Sequence, residues 1–209
     1  MEYQDQERRL ARADLCRFVA ACYYEPGPEI AEERLFDSML AAAIRIDPGL
    51  AQRARSLGEV FSSETLEKLL VDYTHLFLGP ADVLARPYGS VWMTGEEALM
   101  QDSTMAVLAL YAEGGFEIDE NFRELPDHIA AELEFLYLLI HRATEAQQSG
   151  NMPALEAAEN LRKRFLREHL ARWVRPFTEA MQAGAETAFY RELAQLTERV
   201  VAMEASRVG

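Results

Sequence analysis

Few residues in this 209-residue chain are equipped for chemistry: four histidines, two cysteines and, standing out among them, the adjacent acid–base pair Asp127-His128 behind Pro126. An aspartate orienting a histidine is the arrangement of a general base. Neighbouring side chains on a helix diverge by about 100°, so adjacency alone does not pair them. The other reading makes Asp127 the N-cap of a helix, accepting backbone N–H groups, and His128 an exposed first-turn residue. A di-iron bundle needs Glu-x-x-His. The residues three before His75, His128, His141 and His169 are Asp72, Leu125, Leu138 and Leu166, so that chemistry falls. Neither Cys16 nor Cys22 has a histidine at zinc-ligand spacing, and no metal site is expected. Phosphate-cradling glycine motifs and a G-x-S-x-G elbow are missing, and Ser90 has no local base. No catalytic residue is assigned.

Stepping along the chain, the period is helical almost throughout. Leu15, Phe18, Val19, Cys22 and Tyr23 share one face, and Glu25-Pro26-Gly27-Pro28 stops that helix. Leu35 to Ala43 forms a second stripe, ending near Asp47-Pro48-Gly49; Leu66 to Phe77 forms a third, cut by Gly79-Pro80. Thr94 with Glu97 has the spacing of a capping box, opening a helix that runs to Gly114-Gly115. Stripes follow over Ile129–Ile140 and Leu155–Leu166; Pro176 opens a short helix with Phe177 and Met181. Phe189, Leu193, Leu196, Val200 and Met203 step 4-3-4-3. The expected fold is all-α, a helical bundle of roughly eight to ten helices.

Twenty-one basic against thirty-five acidic residues leave a net charge of −14, unsuited to nucleic acid and suited to a basic partner. Cys16 and Cys22 lie six apart on one helix, about 600° of turn, so their thiols diverge and a reduced, intracellular protein is expected. The N-terminus carries charge where an export leader needs an apolar stretch, and the run Phe135–Ile140 is far too short for a membrane span.

Two connectors are longer than turns: residues 79–93, with Pro80, Pro87, Tyr88, Gly89 and Trp92, and the acidic residues 114–127. The second divides the chain into two closely packed halves, residues 1–120 and 121–209, joined by a hinge loop. Asp72-Tyr73-Thr74-His75-Leu76-Phe77-Leu78-Gly79-Pro80, then Pro87-Tyr88-Gly89-Ser90-Val91-Trp92 and Asp102-Ser103-Thr104, resemble the first signature of the TorD/DmsD/NarJ family. Glu124-Leu125-Pro126-Asp127-His128-Ile129, followed by Glu132-Leu133-Glu134-Phe135, resembles its second signature, in the tighter spacing of the TorD-like branch. The likeness covers about residues 66–200. His75 departs from the family pattern.

That resemblance implies a cytoplasmic chaperone, not an enzyme. It would bind the twin-arginine leader of an apo-molybdenum oxidoreductase of the dimethyl sulfoxide or trimethylamine N-oxide reductase type. It would delay export and assist insertion of the molybdopterin cofactor. The resemblance also implies an all-helical monomer or hinge-swapped homodimer without a resident cofactor. Weak contact with guanine nucleotide or the molybdopterin cofactor rests on the family alone. The peptide-binding residues expected are Tyr73, Phe77, Gly79, Pro80, Pro87, Tyr88, Trp92, Glu124, Pro126, Asp127 and His128; of these, Tyr73, Phe77, Pro87, Tyr88 and Trp92 line an apolar groove, and Glu124 and Asp127 meet the arginines. Tyr73 and Phe77 also read as core, Trp92 as a cap over it, and Gly79 and Gly89 as positive-φ positions. Two alternatives remain: a NarJ-like factor docking on a mature segment of a membrane-bound reductase, and an enzyme using Asp127 and His128.

Overall fold

The computed structural model describes residues 2–27, 34–79, 83–94, 102–119 and 123–208. Helix α1 (Glu2–Ala21) is followed by α2 (Leu35–Ile46), α3 (Pro48–Ser63) and α4 (Leu66–Tyr73), which continues as a π-helical turn over Thr74–Leu78. After the first long connector come the short α5 (Gly89–Thr94) and α6 (Asp102–Glu113). Beyond the second long connector lie α7 (Ile129–Gln148), α8 (Met152–Phe165) with a π-helical turn over Leu166–Leu170, α9 (Ala171–Gly184) and α10 (Ala188–Ser206). Among the described residues the single β-type pairing is an isolated antiparallel bridge, Tyr88 with His128. The all-α bundle expected from periodicity is the observed fold.

Local chemistry fixes the helix starts. Asp47 accepts from the backbone N–H of Gly49 and Leu50, and Pro48 occupies the first turn of α3, where its missing N–H costs nothing. Thr65, Asn151 and Thr187 cap α4, α8 and α10 in the same way. Three boundaries differ from the sequence reading. Helix α3 went unread, because its buried stripe is only Leu50, Ala54 and Leu57 among charged neighbours. Pro176 sits inside α9 instead of opening it, six residues after the π-helical turn. Thr94 ends α5, and its supposed capping partner Glu97 lies outside the described residues, as does Pro28.

One apolar cluster runs from Ala11 to Val208, with members before and after the second long connector. Helix α1 packs along α7 and α2, and α10 packs along α9 and α3. Phe77 is its aromatic centre, with ring centroids 5.2 Å from Tyr73, 5.6 Å from Tyr190, 6.1 Å from Tyr23 and 6.4 Å from Phe177. Buried ion pairs tie the far ends together. Arg12 donates twice to Glu204, both at 2.6 Å, and Arg162 donates to the same carboxylate at 2.8 Å. Cys16 and Cys22 are free and buried. Among the described residues, no helix is long and apolar enough to cross a membrane.

Candidate functional site

Asp72, which opens the first signature, is 1% exposed and acts as a peg between helices. It accepts from the Thr187 hydroxyl at 2.6 Å, the Thr187 N–H at 2.7 Å and the Glu186 N–H at 3.1 Å, which holds α4 to the start of α10. From that anchor the π-helical turn widens the backbone. It leaves Leu76 and Phe77 inside and His75 and Leu78 outside, with His75 3.6 Å from Glu186.

The two signature connectors, joined by contacts 37 to 42 residues apart in sequence, lie side by side. The Gly89 N–H donates to the Asp127 carbonyl and the Ile129 N–H donates to the Pro87 carbonyl, both at 2.9 Å. The Asp127 side chain accepts from the Ser90 N–H at 2.8 Å, so it caps the first turn of α5 rather than α7. His128 caps α7 instead, its Nδ1 accepting from the Ala130 N–H at 3.2 Å. This corrects the structural reading of the pair: Asp127 is 0% and His128 2% exposed. Burial keeps His128 neutral, its pKa pushed down from 6.5 to about 3. The Asp127 carboxylate that would orient a base is engaged at the Ser90 N–H, and no Asp127–His128 general-base pair is formed.

Tyr88 stands against the His128 ring, centroids 5.5 Å apart, and donates its hydroxyl to Glu124 at 2.5 Å. Burial and Glu124 both raise the Tyr88 pKa; Tyr73 is raised by burial, then by Glu124 and Glu25. Two phenols and two carboxylates therefore gather at the outer edge of the junction. Trp92 is half-buried, donates to the Arg86 carbonyl at 2.7 Å and meets Phe177 edge-on at 6.3 Å. Pro126 offers its carbonyl to the Tyr111 hydroxyl at 3.0 Å.

Glycine at position 89 answers to space, not to φ: a Cβ there would lie 2.9 Å from the Trp173 indole nitrogen and 3.1 Å from Glu132. Neither Gly79, at φ 1°, nor Gly89 occupies the left-handed region. Tyr73 and Phe77 are 6% and 4% exposed, so they underlie the surface rather than form its face. Gly79 and Tyr88 are half-buried, Pro87 is buried and Pro80 lies outside the described residues.

Beneath the junction is a polar cluster that single-residue reading passed over. Glu132, on the buried face of α7, is 0% exposed; its Oε2 accepts from His169 Nδ1 and the Trp173 indole, each at 3.1 Å. His169 Nε2 faces the Ser103 carbonyl at 3.1 Å. A carbonyl only accepts, so Nε2 carries a proton. Burial opposes charge on His169, but Glu132 and Ser103 outweigh it and its pKa is raised. Glu132 is raised as well, by burial above all. A carboxylate three residues after Ile129 on an otherwise apolar stripe was the available signal for this cluster. Among the described residues no group of three or more His, Cys, Asp or Glu stands close enough to hold a metal.

The sequence profile of the nitrate reductase delta subunit family matches residues 45–179. Chaperone protein TorD of Vibrio parahaemolyticus is 34% identical over 130 residues, which are 62% of this chain and 59% of that protein's length. The Tat proofreading chaperone DmsD of Salmonella typhi is 27% identical over 152 residues, 73% of this chain and 68% of that one. The crystal structure titled as a redox enzyme maturation protein from Archaeoglobus fulgidus superposes with a TM-score of 0.56. Its 20% identity, over 91% of this chain and 93% of that one, speaks for the fold alone.

Proposed function

The chain belongs to the nitrate reductase delta subunit family, and from that membership we propose that it is a maturation chaperone for a molybdenum oxidoreductase. In this reading it performs no covalent chemistry. It binds the twin-arginine leader of the apo-enzyme in the cytoplasm, delays export and assists insertion of the molybdopterin cofactor. It acts as a monomer or as a homodimer exchanging halves about the hinge. The observation that carries the reading is the zipped pair of signature connectors with Glu124 at its edge. The TorD and DmsD relatives support it.

The physical requirements agree. A leader of this kind is a basic segment followed by an apolar helical stretch, which asks for carboxylates beside an apolar face. Glu124 and Glu25 supply acid at the junction, and half-buried Tyr88 and Trp92 supply large rings. Tyr73 and Phe77 back this surface from below, and Gly79, Pro87 and Pro126 shape its edges. Contact with the cofactor or a guanine nucleotide remains a family-based proposal only.

The family profile itself favours a second reading, an assembly factor docking on a mature segment of a membrane-bound reductase. Mixing the chain with an apo-enzyme of the dimethyl sulfoxide reductase type, with and without its leader, separates the two. The leader-binding reading predicts a complex only with the leader-bearing form. Equal complex formation by both forms would move the contact to the mature segment.

A further inference from the structure

Two carboxylate oxygens inside the junction have no hydrogen-bond donor: Asp127 Oδ1 and Glu132 Oε1. The hydroxyls of Ser103 and Thr104, at the start of α6, are buried and unpartnered as well. Their surroundings connect them. Gly89 approaches Glu132 Oε1, its neighbour Ser90 binds Asp127 Oδ2, and His169 links Glu132 to Ser103. Glu132 Oε1 lies 3.1 Å from His169 Nδ1, but the ring N–H is aimed at Oε2, which also takes the Trp173 N–H.

Asp127 and Glu132 are both fully buried carboxyl groups with one oxygen left over, and the adjacent His128 is held neutral by burial. A buried carboxylate oxygen left without a donor keeps its full desolvation penalty. The missing ligand is therefore a cation rich in N–H groups, and a guanidinium, planar with five donors, suits two unpartnered carboxylate oxygens.

Resting on the leader-binding reading, we propose that Asp127 and Glu132 form an inner arginine station and Glu124 an outer one. Consecutive residues of an extended segment point to opposite sides, so two adjacent arginines reach two separate stations. Entry to the inner one parts the hydrogen bonds Gly89 N–H to Asp127 O, Ile129 N–H to Pro87 O and Ser90 N–H to Asp127 Oδ2. The arriving guanidinium replaces donors as they are lost. Glu132 is thus a residue that selects arginine over lysine at one of the two leader positions.

The test is a titration of the parent, Glu124→Gln and Glu132→Gln proteins with four leader peptides: Arg-Arg, Arg-Lys, Lys-Arg and Lys-Lys. Glu132→Gln is expected to weaken the Arg-Arg peptide by about tenfold or more. It should cost nothing further when one particular arginine becomes lysine, while Glu124→Gln couples to the other position. A loss equal for all four peptides, or no loss, overturns the inner station. Failure of the parent to bind the Arg-Arg peptide overturns the leader reading beneath it. Should Glu132→Gln not fold, the His169 imidazole resonances of the parent give the answer. Competition for Glu132 moves them when the Arg-Arg peptide is added and not when Lys-Lys is. Resonances unmoved by bound Arg-Arg peptide contradict the proposal.

Discussion

One methyl group at position 89 measures how tightly the two connectors are packed. Gly89→Ala puts a carbon against the Trp173 indole and the Glu132 carboxylate, at 2.9 and 3.1 Å. A loss of about 1–3 kcal/mol is expected, read as a lowered midpoint in denaturant; an unchanged midpoint would show slack at the junction. His128 makes a second test, through pH. Its folded-state pKa lies below 6.5, so the unfolded chain takes the proton first. Stability is lost as pH falls from 6.5 towards about 3, by up to about 1.4 kcal/mol per pH unit. His169 has the opposite sign: its raised pKa contributes stability below 6.5 that is lost as pH rises through its folded value. His128→Asn keeps a capping acceptor, and its melts below pH 6 should fall less steeply than the parent's. Parallel curves would mean His128 is not buried neutral. At this scale the sequence disclosed which residues mattered but not which way they faced. Asp127-His128 stood out, yet the cap expected of Asp127 falls to His128, because the partner of Asp127 sits 37 residues away at Ser90.

Helices in this molecule are held by anchors that periodicity does not reveal. Phe77, ringed by four aromatics, should cost about 3–5 kcal/mol on truncation to alanine, seen as a large fall in melting temperature. A melting temperature equal to the parent's would place it outside the core. Glu204 takes three hydrogen bonds from Arg12 and Arg162 and is 0% exposed. Glu204→Ala strands the buried Arg12 guanidinium, while Arg162 keeps Glu159, and should cost a similar amount, about 3–5 kcal/mol; a small change in denaturant midpoint would contradict the burial. Most helices were legible from their apolar stripes. Helix α3 was not, since three small-to-medium apolar residues among charges leave little periodic signal. The interior position of Pro176 was hidden because the widened turn before α9 depends on tertiary packing, which no local pattern records.

Over the whole chain, the family membership was readable from short signature segments taken in order, and the all-helical bundle from the longer apolar stripes. The polar cluster of Glu132, His169 and Trp173 was not, because it forms only when α7, α9 and the π-helical turn before α9 come together. The net charge of −14 acts at this scale too. It draws a basic peptide from a distance of about a Debye length, so capture should slow as salt rises while the short-range contacts persist. The most direct test of leader recognition is isothermal titration of the purified chain with a twin-arginine leader peptide at low and at high salt. The account predicts an affinity on the order of micromolar or tighter. It should weaken with salt and fall away when both arginines become lysines. No heat of binding to the Arg-Arg peptide at low salt, or an equal affinity for the Lys-Lys peptide, would contradict it.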